Sequence, residues 1–201
     1  MGFYPRLPIG DIQTDVDGEN VDRAFAAHLS WTAAEAAAAD TDGVHAAVTD
    51  NGSEQEITTN ITNPPCARNI TATAGGTAGD IKAIQVTIDG TDIEGNAISE
   101  DLPAFTADNA GTVVGSKAFK TVTKITIPAH DGTGATTAVG FGDKLGLPYK
   151  RATLPCIAAY LGAVLESTAA TIAASATVIA SNTIDLDSAL DGSAVDAYLV
   201  V

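Results

Sequence analysis

The sequence predicts a mainly β fold, a β-sandwich or partly open barrel with an extended N-terminal arm and one short helix. Three observations lead there. From Gln55 to Pro148, short apolar alternations are separated by turn residues at a spacing that suits a succession of strands. The 201-residue chain is rich in Ala, Thr and Gly but only 5% aromatic, so its core is built from small and β-branched side chains. One stretch alone, between Glu19 and Asp40, places apolar residues at helical spacing.

In chain order, three segments are expected: an acidic N-terminal arm and short helix over residues 1–50, a central β module over 51–150, and C-terminal β hairpins over 151–201 packing on the same core. Phe3, Tyr4, Pro5, Leu7, Pro8 and Ile9 put large side chains on an extended arm that cannot bury them alone. Val21, Phe25, His28, Leu29 and Thr32, followed by the alanine run to Ala39, favour a short helix. A strand through His28 to Thr32 is the competing reading. Val44 to Val48 reads as a first strand after the Asp40–Gly43 turn. Ile57 and Ile61, then Arg68 to Ala74, alternate up to the Gly75-Gly76 break. Ile84, Val86 and Ile88 share one face, and Ile84 to Leu102 closes as a hairpin around the Gly90–Asn96 turn material. Further strands run through Phe119–Ile127 and Thr136–Phe141. In the tail, Ile157, Ala159, Leu161, Ala163 and Leu165 alternate as a strand, and Thr183–Leu186, the Asp191-Gly192 turn and Ala194–Val201 read as a final hairpin.

The formal net charge is −15, from 25 acidic and 10 basic residues. A protein that grips a phosphate backbone needs clustered Lys and Arg. Only Lys117, Lys120, Lys124, Lys144, Lys150 and Arg151 approach a cluster, and flanking acids cancel their field, so they read as solvated hairpin faces. Direct nucleic-acid binding is not expected, and neither is a membrane partner, because no stretch reaches the roughly 20 apolar residues of a spanning helix. Met1 to Ile9 does not read as a secretory signal, which implies synthesis in the cytosol. Cys66 and Cys156 read as two buried free thiols or one long-range disulfide.

Chemistry is sparse. His28, His45 and His130 sit in unrelated contexts, with no His or Cys at metal-ligand spacing. The acidic pairs Asp15/Asp17, Asp40/Asp42 and Asp92/Glu94 lack the full calcium loop and read as turn formers. The glycines between Gly132 and Gly146 do not follow the strand-to-helix pattern of a phosphate cradle. No nucleophile motif is present, so the expectation is a non-enzyme with no catalytic, cofactor-binding or metal residues and no cofactor. Glycan recognition would need exposed aromatics, for which Trp31 and Tyr160 are the candidates.

Ile57–Thr62 with Asn63-Pro64, Arg68-Asn69-Ile70-Thr71, the hairpin Val86–Ile98, Lys117–Thr123, Gly140–Pro148 and the ending Asn182–Val201 together resemble, in that order, a recurrent block of virion structural proteins of tailed bacteriophages. Pro65-Cys66 departs from the block, and the acidic arm lies largely outside it. The resemblance implies a particle component, most like a head decoration (cement) protein that binds the outer capsid surface and stabilises it. The implied partners are copies of itself as a trimer and the major capsid protein, and the implied location is the virion, after synthesis in the host cytoplasm. A tail, baseplate or head-fibre structural protein is the alternative. Phe3, Tyr4, Leu7 and Ile9 are the expected assembly anchors.

Overall fold

The computed structural model describes residues 26–201 together with the short stretches Ile12–Gln13 and Asn20–Val21. Those two stretches, β1 and β2, pair antiparallel with each other. From Ala26 onward the chain is mainly β, as the sequence predicts, with 49% strand overall and one sheet curled into a half-barrel.

The central sheet is organised around β6 (Arg68–Gly76) and the long β11 (Ala135–Gly146), which pair antiparallel. β9 (Gly111–Phe119) flanks β6. The other edge of β11 is shared: β4 (Asp40–Thr49) pairs with its first half and β15 (Thr183–Asp185) with its last two residues, with β14 (Thr171–Ala173) beyond. A second sheet is ordered β5 (Gln55–Ile57), β10 (Thr121–Ile127), β7 (Thr87–Thr91), β8 (Ala97–Asp101). The apolar faces of these two sheets enclose a core of Ile70, Ala72, Val139 and Phe141 from one and Ile88, Val122, Ile125 and Ile127 from the other, with Phe119 fully buried between them. Alternation put those residues on one face of each strand, and burying that face is what fixes the register.

The third sheet is ordered β13 (Val164–Leu165), β12 (Cys156–Leu161), β16 (Val195–Val200), β3 (Ala26–Trp31). Its inner face supplies Trp31, Ala159, Val195, Ala197 and Leu199 to a second core, completed by Leu145 and Ile184 from the central sheet and by Leu147, Leu154, Leu186 and Leu190 from loops. Pairings therefore cross the segment borders read from the sequence at 50 and 150: β4 belongs to the central sheet, and β3 pairs with the last strand of the chain.

Three expectations need correction. The short helix is a strand where the residues are described, because Leu29 and Trp31 alternate with the exposed His28 and Ser30 and find their partners on β16. Helix formation stops at one turn. Thr32 and Glu35 form a capping box, with the Thr32 amide donating to Glu35 Oε2 at 2.9 Å and the Glu35 amide to Thr32 Oγ1 at 3.3 Å, and the Ala36 amide reaches the Thr32 carbonyl. The next turn does not follow, since the Ala37 carbonyl accepts a hydrogen bond from Arg68 instead. The strand from Ile157 to Leu165 is broken by a turn at Gly162-Ala163, both with positive φ, which folds it into the β12–β13 hairpin. The final hairpin does not form: β15 joins the central sheet and β16 the third, because Leu186 and Leu190 are drawn into the second core between them.

Candidate functional site

Two features stand out, a buried polar hub and a bare sheet face. The hub is built on Arg68-Asn69. Both neighbours of β6 bulge beside it: Gly115–Lys117 on β9 lie between the pairs Asn69↔Ala118 and Thr71↔Val114, and Gly142–Lys144 on β11 lie between Phe141↔Ile70 and Leu145↔Arg68. Bulges leave backbone groups without ladder partners. Asn69, fully buried, repairs both sides by accepting the Lys144 amide at 3.0 Å and donating to the Gly115 carbonyl at 3.3 Å. A Cβ at Gly142 would stand 2.7 Å from the Asn69 amide nitrogen, and one at Gly115 would stand 2.8 Å from the Ile70 carbonyl, so glycine is required at both points of closest approach.

Arg68 is also fully buried. Its Nε donates to the Gly142 carbonyl at 2.8 Å and its Nη1 to the Ala37 carbonyl at 2.6 Å, while the guanidinium lies over Phe141 with 4.7 Å to the ring centroid. Burial pushes its pKa down, with Cys66 and Asp143, whose carboxylate lies 3.6 Å away, opposing. Glu100 from β8 closes the β9 bulge by accepting the Ser116 amide and hydroxyl, both at 2.7 Å, and the Lys117 amide at 3.2 Å. These polar groups hold the strands of two sheets in place, mostly through backbone partners, while Arg68 Nη2, Thr71 Oγ1 and Asp143 Oδ1 are buried beside them without a hydrogen-bond partner. A cleft of ≈ 250 Å³ opens beside them, lined by Thr41, Thr71, Thr112, Asp143, Lys144 and Asp185. Burial raises the Asp185 carboxyl above the usual range, with Lys144 opposing.

The bare face belongs to the third sheet. Directly opposed residues on neighbouring strands share a side, and the side away from the core carries His28 on β3, Asp196 and Tyr198 on β16, Tyr160 on β12 and Leu165 on β13. Seven large apolar residues stand exposed among the described residues, and four of them, Ile157, Val164, Leu165 and Tyr198, are on this sheet. Ile157 reaches solvent because β12 carries a bulge between Cys156 and Ala158. His28 stacks on Tyr198 with centroids 4.6 Å apart and planes 5° from parallel, and its Nε2 lies 2.7 Å from Asp196. Tyr160 meets Tyr198 edge-on at 6.1 Å. The bond to His28 holds the Asp196 carboxyl below its usual range, so it stays ionised at neutral pH.

The residues singled out from sequence are dispersed. Phe3, Tyr4, Leu7 and Ile9 lie outside the described residues, as do Asp15 and Asp17. His45 bonds the Ala46 carbonyl, and His130 is buried beside Asp50 and Thr137. Asp40 accepts the Asp42 amide and Asp92 accepts the amides of Glu94 and Asn96, the turn-forming roles expected of them. Among the described residues no group of three or more His, Cys, Asp and Glu is placed to hold a metal ion, and no helix is long and apolar enough to cross a membrane. Cys66 and Cys156 are free, and burial pushes the Cys66 thiol up to about 11. Trp31 faces the second core rather than solvent, and the stacked rings of His28 and Tyr198 turn their faces on each other, a poor platform for a sugar ring. What sequence reasoning missed was the pairing of β3 with β16, which assembles the bare face from residues 170 positions apart; the matched alternation of the two strands was its signal.

No family model, curated protein or solved structure matches the chain.

Proposed function

We propose that the chain is a non-enzymatic virion structural protein, a head decoration or cement protein that binds the outer capsid surface in many copies and stabilises it by clamping. The observation that carries this reading is the bare third sheet: an exposed apolar face concentrated on one sheet marks a surface made to lie against another macromolecule. Ile157, Tyr160, Leu165 and Tyr198 supply contact area, and the arm residues Phe3, Tyr4, Leu7 and Ile9 supply separate anchors. Two such contacts on one chain raise avidity through effective concentration. The partners are the major capsid protein and further copies of this chain in a trimer, and the acidic surface suits the solvent side of a shell better than its DNA-facing side.

The test is cryo-electron microscopy of purified particles. Symmetric density of this chain over the whole capsid, with the third sheet turned toward the shell, is the expected result. A small ring at the tail, or absence from the particle, overturns the decoration reading, the first in favour of a tail or baseplate role.

A further inference from the structure

Residues 50–54 connect β4 in the central sheet to β5 in the second sheet. Asp50 is buried at the start of this connection, and Asn51, Gly52 and Ser53 are exposed. The Asp50 amide donates to the Ala135 carbonyl at 3.0 Å, and its Oδ1 accepts the His130 amide at 3.0 Å, so the carboxylate is fixed from two sides. Its other oxygen, Oδ2, accepts the Gly52 amide at 2.8 Å. One residue on, the Ser53 amide donates to Asn51 Oδ1 at 3.0 Å.

Asn51-Gly52 is the only Asn-Gly pair in the sequence. An asparagine side chain is an electrophile toward the backbone nitrogen that follows it. Closing the five-membered succinimide requires that nitrogen to lose its proton, the side-chain carbonyl oxygen to take up negative charge, and the following residue to leave room for the ring. Gly52 meets the last condition: its φ is 77°, and a Cβ built there would find nothing within 4 Å. The hydrogen bonds meet the other two. Asp50 Oδ2 is on the proton that must leave the nucleophile, the place of a general base. The Ser53 amide is on the oxygen where charge develops, the place of an oxyanion donor. Because Asn51 is exposed, the leaving ammonia and the incoming water both have access. A second turn shows what is particular here. At Asp191-Gly192-Ser193 the Ser193 amide again donates to the side chain two residues back, at 2.8 Å, but the Gly192 amide is held by the Ala36 carbonyl, which cannot take a proton.

We propose that Asn51 is a self-modifying site, converted by its own loop to aspartate and isoaspartate. Asp50 draws the proton from the Gly52 nitrogen as that nitrogen attacks Asn51 Cγ. The new N–Cγ bond forms, the proton passes to Nδ2, and the Cγ–Nδ2 bond breaks with release of ammonia. Water then opens the succinimide at one of its two carbonyls. The sum is a carboxamide plus water giving a carboxylic acid plus ammonia, with no oxidant and no cofactor. The product carries one further negative charge, and in its isoaspartate form the main chain between β4 and β5 is one methylene longer. This chemistry concerns the chain alone and does not depend on the particle reading.

The experiment follows conversion at Asn51 in the full-length protein at neutral pH, folded in buffer and unfolded in guanidinium chloride. Peptide mass spectrometry reads the acid, and enzymatic methyl labelling reads the isoaspartate. A native fold ordinarily slows this reaction by holding the backbone, so the sign of the difference is diagnostic. A placed general base contributes about 10²–10⁴-fold, and after the cost of a held backbone the folded rate is expected to stand about tenfold above the unfolded rate. Asp50→Asn keeps an amide acceptor but has no base, and is expected to lower the folded rate about tenfold or more, with its urea midpoint reporting that it folds. A folded rate at or below the unfolded rate overturns the proposal, and that comparison stands even where Asp50→Asn does not fold. A folded Asp50→Asn variant that converts as fast as the parent overturns it as well.

Discussion

The central pair of sheets and the third sheet solve the same problem with different completeness. Around Ile88, Phe119 and Ile125 two sheets cover each other, and the core between them is closed. The third sheet covers only its inner face, on Leu199, Val195 and Trp31, and leaves Ile157, Leu165 and Tyr198 to solvent. The contrast teaches that exposed apolar residues are concentrated on one sheet, with Ile93, Val114 and Val178 standing singly elsewhere among the described residues, rather than reflecting a general poverty of core. The sharpest way to break the comparison is to truncate one isoleucine in each region. Ile88→Ala opens a cavity in a closed core and is expected to cost about 2–5 kcal/mol, whereas Ile157→Ala is expected to stay within about 0.5 kcal/mol. Urea midpoints of the two variants check this, and a large loss at Ile157 would mean that the outer face of the third sheet is already covered by the folded body.

The next effect in size concerns the hub that joins the regions. Among the described residues Asn69 is the only side chain bonded to both bulges, and Asn69→Ala leaves the Lys144 amide and the Gly115 carbonyl without that partner in the interior. An unsatisfied buried group costs about 1–3 kcal/mol, so the variant is expected to lose about 2 kcal/mol or more by chemical denaturation. Asn69→Asp keeps the acceptor and loses the donor. It should fall on the destabilised side as well, because a carboxylate placed against the Gly115 carbonyl has no proton to offer.

Much of this architecture was legible in the sequence. The hairpin of β7 and β8, the strand from Arg68 and the strand through Val139 were placed by alternation and by glycine breaks, because each buries one face against a neighbour close at hand. Two of the three failures share a cause: each depended on a partner far along the chain. Nothing near His28 announces that its strand will pair with Tyr198, so the alanine run that follows pulls the reading toward helix. Ala159 and Leu161 face the core while Leu165 faces solvent, since the turn at Gly162-Ala163 and the bulge at Ile157 each shift the side-chain parity. Arg68 and Asn69 could be seen as a motif, but their work in closing two bulges requires two strands that alternation alone does not register.

A smaller effect distinguishes the regions by acid. His130, in the central module, is 94% buried, its Nδ1 accepts the Lys82 amide at 3.2 Å and its Nε2 faces Thr137 Oγ1 at 2.9 Å. Burial pushes its pKa down, with Asp50 and Asp131 opposing. The folded state thus takes up a proton at lower pH than the unfolded state, where the histidine pKa is about 6.5. The contribution of this site to stability is intact above that pH and declines as the pH falls through it, levelling off below the folded pKa. The urea midpoint is expected to drop between pH 7.5 and 5.5. A His130→Asn variant, whose side-chain oxygen can still accept the Lys82 amide, is expected to start lower and to fall less over the same interval.

The smallest effect has the opposite sign and belongs to the third sheet. Ala163 holds a φ of 65° in the two-residue turn between β12 and β13. A left-handed conformation costs a residue with a Cβ about 1–2 kcal/mol. Glycine relieves that cost but surrenders about 0.5–1 kcal/mol of backbone entropy on folding. Ala163→Gly is therefore expected to stabilise the chain by about 0.5 kcal/mol, measured as a rise in the urea midpoint with an unchanged slope. Because β13 ends in Leu165, firming this turn also fixes the far edge of the bare face.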